Sequence, residues 1–247
     1  MNIIYHTPPD KIVDEWLYLD RDEAHHARNV IRLKKGDTLI AVDGVGNAYN
    51  CIIEKSSKNE LRCKIVSRVR NYGEPMCHVT VAAGLSTGYK FDEVIQRCTE
   101  LGVSRFIPML TEKSKIKIDD GKRVKAKLKR WSKVAVASMK QCRRSYLPVI
   151  EPIMKFADAA ELVRDAARNI LFDPTYGRVA VDSLPFSPED KAISLFFGPE
   201  SGFSTDETQY AGEHNFDLVT LGKRVLRTEN ASPTGVAVVM NLIGELR

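Results

Sequence analysis

The sequence lacks several features that would have placed it in a broad class of protein. Its 247 residues include no apolar run close to the ~18 residues that a membrane-spanning helix requires. The first residues do not show a basic stretch followed by an apolar run, so we expect no signal peptide. The five cysteines are scattered and never spaced as Cys-x-x-Cys. They indicate reduced thiols, as in a cytoplasmic protein, rather than disulfides.

Two common site signatures are also missing. Neither the dinucleotide-binding pattern Gly-x-Gly-x-x-Gly nor a phosphate-binding P-loop occurs in the sequence. His25 and His26 are adjacent, and adjacent residues on a helix do not share a face. No cluster of cysteines or carboxylates accompanies them, so we expect no metal site and favour a surface position for both.

Positive charge is concentrated in one part of the chain. The net charge is only +5, yet residues 113–144 hold thirteen Lys or Arg and two acids, Asp119 and Asp120. Residues 145–247, in contrast, hold nine basic and fifteen acidic residues. A concentrated basic segment is typical of proteins that bind a polyanion. A solvated helix face is the alternative, and charge alone does not decide between them.

The apolar pattern changes near residue 72, which predicts two domains, 1–72 and 73–247. Before this point, alternating segments at 38–44, 47–55 and 60–69 predict a small antiparallel β-barrel. After it, apolar strands alternate with helices, which predicts an α/β domain with a mostly parallel sheet. The strands are predicted at 77–85, 104–110, 169–173, 192–197 and 217–221, and the helices at 90–102, 123–144 and 231–246.

Two glycine-bearing segments follow apolar strands near the end of the chain. The first is GPESGF at 198–203, and the second is LGKRVLRTE at 221–229. Glycine at the end of a buried strand lets backbone groups approach a ligand closely. The first segment alone is more typical of a tight turn, whereas the pair at this spacing is far more specific.

Together these segments resemble the signature of the SPOUT-class RNA methyltransferases, and within that class the RsmE family, which methylates N3 of a uridine in 16S ribosomal RNA. The stretch 25–37 and the following DGVG are similar to that family's N-terminal domain. The resemblance implies a SPOUT-type parallel α/β sheet with a C-terminal trefoil knot, preceded by a PUA-like β-barrel that binds RNA. It also implies an obligate homodimer, S-adenosylmethionine held in the knot, and small-subunit ribosomal RNA as partner.

The resemblance implies a cofactor site built largely from backbone groups and apolar walls. Its residues are Leu195, Gly198, Pro199, Glu200, Gly202, Leu221, Gly222, Val225 and Leu226. For Leu195 an ordinary core position is the favoured alternative. Two residues depart from the family pattern: Ser201 replaces a glycine, which would be strained at positive φ, and Asn230 replaces a threonine.

Methylation of uracil N3 requires the loss of its proton, which leaves a negative charge shared by two carbonyl oxygens. Arg227 is the predicted catalytic residue that stabilises this charge. Glu229 is the nearest candidate proton acceptor, although it could instead cap the last helix or pair with Arg224. We assign no general base at this stage.

The residues predicted to bind RNA are basic or amide side chains in two parts of the chain. They are Arg28, Arg32, Lys34, Lys90, Gln141, Arg143 and Arg144. Gln141 and Arg144 match a motif of the family, and a solvated surface position is the alternative for the others. Two other functions stay open: methylation of another position such as ribose 2′-O, and an inactive RNA-binding assembly factor.

Overall fold

The computed structural model describes residues 4–57, 60–116, 121–187 and 189–246. The chain forms two compact units. The first comprises Met1–Glu74 and Val136–Leu147, and the second comprises Pro75–Ala135 and Pro148–Arg247. The end of the basic segment, residues 136–144, therefore belongs to the first unit. A single domain boundary near residue 72 does not describe this arrangement.

The first unit is built on a six-stranded sheet. Its strands are β1 (Ile4–His6), β2 (Ile12–Val13), β3 (Trp16–Leu19), β4 (Thr38–Val42), β5 (Asn47–Ser56) and β6 (Leu61–Arg70). They pair in the order β1-β4-β5-β6-β3-β2, with every pair antiparallel except β1 and β4. The three strands predicted from alternation are confirmed as β4, β5 and β6. Their inward side chains, among them Leu39, Cys51 and Cys63, form a buried cluster.

One short helix precedes β4 in this unit. Helix α1 (Arg21–His25) continues directly into a π-helical segment, His26–Val30. The helix begins where Asp20 accepts a hydrogen bond from the backbone N–H of Glu23, at 2.8 Å, as expected for an acidic N-cap. His25 and His26 therefore both lie in helical backbone, which ends in a wider turn.

The second unit is an α/β domain with a parallel sheet, as predicted, and the described sheet has eight strands where five were predicted. The strands are β7 (His78–Gly84), β8 (Arg105–Leu110), β9 (Val149–Ile150), β10 (Met154–Lys155), β11 (Arg168–Phe172), β12 (Val179–Ala180), β13 (Ala192–Phe197) and β14 (Phe216–Thr220). The pairing order is β10-β8-β7-β13-β11-β14-β12, with β9 beside β8. Nearly continuous apolar runs such as Ile193–Phe197 suit central parallel strands, which are covered on both faces.

In the described residues, four α-helices lie between strands of this sheet and a fifth follows the last strand. They are α2 (Lys90–Glu100), α3 (Gly121–Gln141), α4 (Phe156–Leu162), α5 (Thr205–Glu213) and α6 (Thr228–Leu242). Helix α3 is the predicted basic helix, and its apolar side is confirmed by full burial of Trp131, Ala135 and Met139. Within the second unit, Trp131 donates from its indole Nε1 to Asp92 of α2 at 2.9 Å. No helix in the described part of the chain is long and apolar enough to cross a membrane.

The parallel arrangement decides where a site can form. The strands β7, β13, β11 and β14 are neighbours and run in the same direction. Their carboxyl ends therefore lie at one edge of the sheet, where ligands of open α/β sheets bind. The two glycine-bearing segments follow β13 and β14 and emerge at this edge.

Candidate cofactor and catalytic site

The two glycine-bearing segments meet at this edge. The hydroxyl of Thr228, the first residue of α6, donates to the carbonyl oxygen of Gly198 at 2.9 Å. Thr228 is buried and directly follows Arg227. The hydrogen bond therefore places the predicted catalytic arginine beside the turn that follows β13.

We call residues 198–203 the first loop, and it is held from several sides. Its turn is closed by a hydrogen bond from the N–H of Gly202 to the carbonyl of Pro199, at 2.9 Å. Ser201 donates from Oγ to the carbonyl of Lys113, at 2.7 Å, and Lys113 donates from Nζ to the carbonyl of Phe203, also at 2.7 Å. The positive φ of this turn belongs to Gly202, at 69°, so the strain considered for Ser201 does not arise.

The backbone of the first loop passes very close to the end of β7. A Cβ added to Gly84, the last residue of β7, would lie 2.4 Å from Pro199. Such a contact is impossible without a shift of the backbone, so glycine is required at this strand end. Gly84 was not among the predicted site residues, and its only local signal in the sequence is a glycine at the end of an apolar strand.

Residues 221–227, the second loop, have few internal contacts. Gly222 adopts φ of 100°, with open space where a side chain would project. Among the described residues, no hydrogen-bond partner accepts from the backbone N–H groups of this loop. Val225 is 79% exposed. Free N–H groups and exposed apolar side chains suit a ligand that is recognised by main chain and covers an apolar surface.

The start of α6 is fixed by an arginine that the sequence analysis missed. Pro233 lies inside α6 and has no N–H, so the carbonyl of Glu229 loses its helical donor. Arg97 of α2 replaces that donor, with Nη1 3.2 Å from this carbonyl and 3.2 Å from Oδ1 of Asn230. Helix α6 begins at Thr228, so Asn230 lies in its first turn and accepts from Arg97 instead of capping the helix.

Charged groups cluster beside the first loop. Lys90, at the start of α2, forms an ion pair with Glu200. The hydrogen bond from Lys90 lowers the pKa of Glu200, and the same bond raises the pKa of Lys90. Glu229 raises and Arg227 lowers the pKa of Lys90, so all four charges are close together. The Oε2 atom of Glu229 is buried and has no hydrogen-bond partner within the described residues.

A small recess lies between the first loop and the segment before α3. Its volume is about 110 Å³, and its lining includes Ser86, Ile116, Pro199 and Glu200. This is below the roughly 300 Å³ typical of pockets that enclose a whole ligand. The recess fits one group of a larger molecule that also contacts the second loop. In the parts of the chain that the structure describes, no three metal-ligating side chains come together.

Two predicted site residues occupy positions that argue against their assigned roles. Leu195 is fully buried in the middle of β13, between Val81 and Ile170, so it is a core residue as the alternative proposed. Arg144 is only 2% exposed, and its Nε and Nη2 atoms donate to Glu74 at 3.0 and 2.8 Å. Glu74 also accepts from the N–H groups of Ser145 and Tyr146. A direct contact of Arg144 with RNA is therefore corrected to a structural ion pair.

The remaining candidates for RNA binding have different surroundings. Arg32, Lys34, Gln141 and Arg143 are exposed, and Arg28 is partly buried. Lys90 is partly buried by its ion pair with Glu200. Arg32 and Arg143 both have positive φ, at 64° and 63°, an uncommon conformation for a residue with a side chain.

Comparisons with known proteins identify the family. A family model described as an RNA methyltransferase domain matches residues 73–240, and one described as an RNA methyltransferase PUA domain matches residues 19–66. Ribosomal RNA small subunit methyltransferase E of Bacillus subtilis is 30% identical over 215 residues, covering 85% of this chain and 84% of that protein. The enzyme of the same name from Aquifex aeolicus is 31% identical, covering 91% of this chain and 94% of that protein.

A solved structure agrees with these relatives. The ribosomal RNA small subunit methyltransferase E of Neisseria gonorrhoeae, bound to S-adenosyl methionine, superimposes with a TM-score of 0.84. It is 25% identical, and the match covers 98% of each chain. The chain thus belongs to the family of RNA methyltransferases that includes ribosomal RNA small subunit methyltransferase E.

Proposed function

We propose that this chain is an S-adenosylmethionine-dependent methyltransferase that modifies N3 of a uridine in small-subunit ribosomal RNA. The observation that carries the proposal is the junction of the two glycine loops, where Thr228 binds the carbonyl of Gly198 and Arg227 lies next to it. Family membership supports the reaction class, and the S-adenosyl methionine bound to the Neisseria enzyme supports the cofactor.

The cofactor is proposed to bind along both loops. The backbone groups of Gly198, Gly202, Leu221, Gly222 and Leu226 recognise its adenine and ribose. Val225 and Leu226, which project from the second loop, cover apolar surface of the adenine ring. The bound cofactor supplies an electrophilic methyl group on a sulfonium sulfur. Backbone donors suit this task because the site has glycines where side chains would block the approach.

The chain's own residues then prepare the uracil. Arg227 is exposed at the N-terminus of α6 and stabilises the negative charge that develops on the uracil oxygens when N3 loses its proton. Arg227 cannot accept that proton, because a guanidinium stays protonated. Glu229 is the candidate acceptor, since its buried Oε2 has no partner in the described residues. No ion pair joins Glu229 and Arg224 in the part of the chain described here.

The partners follow from the same proposal. Exposed Arg32, Lys34, Gln141 and Arg143 contact RNA, and the exposed lysines of α3 add positive charge. Phosphate contacts of this kind position the RNA without reading its sequence. The exposed Val225 and its loop also suit burial against a second copy of the chain, which supports the proposed homodimer. The trefoil knot is proposed from the family to which the chain belongs. The proposed compartment is the cytoplasm, where ribosomal RNA is available.

Mass spectrometry of nucleosides from small-subunit ribosomal RNA tests the function directly. Cells with and without the gene are compared, and purified protein plus S-adenosylmethionine is added back to the RNA of the deletion strain. We expect N3-methyluridine alone to disappear on deletion and to return on addition. If another methylated nucleoside disappears, such as a ribose 2′-O product, the position is wrong. If no nucleoside changes, a binding role in assembly replaces the methyltransferase.

A further inference from the structure

A second cavity lies in the first unit, away from the loops described above in sequence. Its volume is about 420 Å³, within the roughly 300–1,000 Å³ of pockets that hold small molecules. Its lining is mostly apolar and includes Ile31, Leu33, Ile40, Asn50, Ile52 and Val66. Neither the cofactor nor the catalytic residues proposed above explain this cavity.

The strand pattern places much of this lining on the outer side of the sheet. In β4 and β5 the buried residues Leu39 and Cys51 alternate with the more exposed Ile40, Asn50 and Ile52. Neighbouring side chains of a strand point to opposite faces, so these three residues share the outer face. On this face Ile40 packs against the buried cluster of Ile4, Val42, Ala48 and Met139, whereas Ile52 and Val66 line the cavity and are not part of that cluster.

A β-bulge interrupts the pairing of β5 and β6 at this place. The pairing of β5 with β6 shifts from Asn50 opposite Ser67 to Cys51 opposite Ile65, which leaves Val66 without a partner residue. Val66 is 61% exposed and lines the cavity. Bulges are common where a strand redirects a side chain towards a site.

Positive charge flanks the cavity on two sides. Residues 28–35, which supply Ile31 and Leu33, hold four basic residues and no acid. Residues 61–73, which supply Val66, likewise hold four basic residues and no acid. One of them, Arg68, lies opposite Tyr49 and donates to Asn47, so its charge is directed away from this face. Lys64 lies 3.6 Å from Glu15, but both side chains are exposed, so this pair neutralises little of the charge.

We propose that this cavity receives an unpaired nucleobase of the RNA, while the flanking basic residues bind the adjoining phosphates. Single-stranded RNA is recognised by this combination, in which a base enters an apolar site and a basic surface follows the backbone. Asn50 offers an exposed amide to the edge of the base, with its Nδ2 already 2.8 Å from Ser67 Oγ. The inference rests on the proposed function for the identity of the RNA but concerns a separate site.

Two exposed valines on β6 provide a matched test. Val66→Trp fills the cavity, and Val69→Trp places the same side chain on the same strand outside the cavity lining, at a position that is 42% exposed. Binding to a short single-stranded RNA and to a duplex of the same sequence is measured by fluorescence anisotropy. We expect Val66→Trp to weaken single-strand binding roughly tenfold, the loss of about one stacked base, and to leave duplex binding unchanged. Val69→Trp should leave both unchanged.

Several outcomes would overturn the inference. Equal affinities of the two variants, or an equal loss for single strand and duplex, would mean that no base enters the cavity. A change in molecular mass by light scattering confined to Val66→Trp would instead indicate an interface between copies of the chain. Ile52→Ala, which removes part of the lining, decides the question if Val66→Trp melts at a lower temperature.

The same experiments separate this inference from the proposed function. If the wild-type chain methylates ribosomal RNA and Val66→Trp binds single-stranded RNA as the wild type does, only the proposal that a base enters the cavity is rejected. Selective loss of binding in Val66→Trp, with no methylation by the wild-type chain, would reject only the proposed function.

Discussion

The two glycine loops lie at the same edge of the sheet but are held very differently. The first loop is fixed by Ser201, Lys113 and the turn at Gly202, and it also accepts the hydroxyl of Thr228. In the described second loop, Thr220 donates to the carbonyl of Gly222, and the carbonyl of Arg227 accepts from the first turn of α6, but no comparable side-chain contacts hold residues 223–226. The first loop is therefore arranged before any ligand binds, whereas the second is free to adjust to one. A site with one rigid and one adaptable side reduces the entropy cost of binding without blocking entry.

The largest loss of activity is expected from a substitution of Arg227, at the end of the second loop. Arg227→Ala should lower kcat roughly 100-fold or more, because it removes the cation that stabilises the uracil anion. Affinity for S-adenosylmethionine, measured by calorimetry, should change little. Arg224→Ala is the control, since Arg224 is also exposed in the second loop. Equal kcat values for the two variants would mean that Arg227 has no catalytic role.

Hydrogen exchange compares the loops directly. Addition of S-adenosylmethionine should slow exchange in residues 221–227 roughly tenfold, because their N–H groups lack partners before binding. Residues 198–203 should change much less, since their turn is already closed. Mass spectrometry of peptides measures both loops in one experiment. If the cofactor protected the first loop more than the second, the first loop would be the one that becomes ordered on binding.

Removal of a hydrogen bond that holds the first loop should lower the affinity for the cofactor moderately. Ser201→Ala or Lys113→Ala removes one hydrogen bond and should weaken S-adenosylmethionine binding roughly twofold to tenfold. Ser201→Thr keeps the hydroxyl and should bind like the wild type. If Ser201→Thr is as weak as Ser201→Ala, the hydrogen bond to Lys113 is not the cause.

The smallest effect is expected from the Lys90–Glu200 ion pair beside the first loop. Lys90 lowers the pKa of Glu200 below its ordinary value of 4.5, so the pair stabilises the fold above that pH and is lost as the pH falls through the lowered pKa. The pair is partly exposed, so Glu200→Gln should lower the melting temperature at pH 7 by no more than about 2 °C. The difference from wild type should vanish in acid, and a difference that grows there would contradict this assignment.

Much of the fold followed from local sequence patterns. Long apolar runs predicted the central strands of the parallel sheet, and the spacing of apolar residues predicted α2 and α3. The strands β1, β2 and β3 were missed because they span two to four residues, too few for alternation to be read. Helices α4 and α5 were likewise missed, as neither carries a long apolar stripe.

The site was predicted less completely than the fold. Arg227 and the glycine loops were found from their motifs, but Arg97 and Lys113 carry no local signal of their role, and Gly84 is marked only as a glycine at the end of an apolar strand. Arg144 was assigned to RNA because it matches a motif of the family at the end of the basic helix, yet Glu74 holds it in the interior. The charge pattern of the sequence therefore predicts a basic surface, but it does not predict which basic residue is buried in an ion pair with a carboxylate.

By itself the sequence determined the parallel α/β sheet, the glycine turns and the family, because apolar periodicity and short motifs act over neighbouring residues. Only the tertiary structure decided that Thr228 meets Gly198, that Arg97 replaces the donor missing at Pro233, and that Arg144 pairs with Glu74. These contacts join residues 30, 132 and 70 positions apart. No local pattern specifies such a pairing. It depends on which strand ends lie together at one edge of the folded sheet, and on which side chains are buried when the core forms.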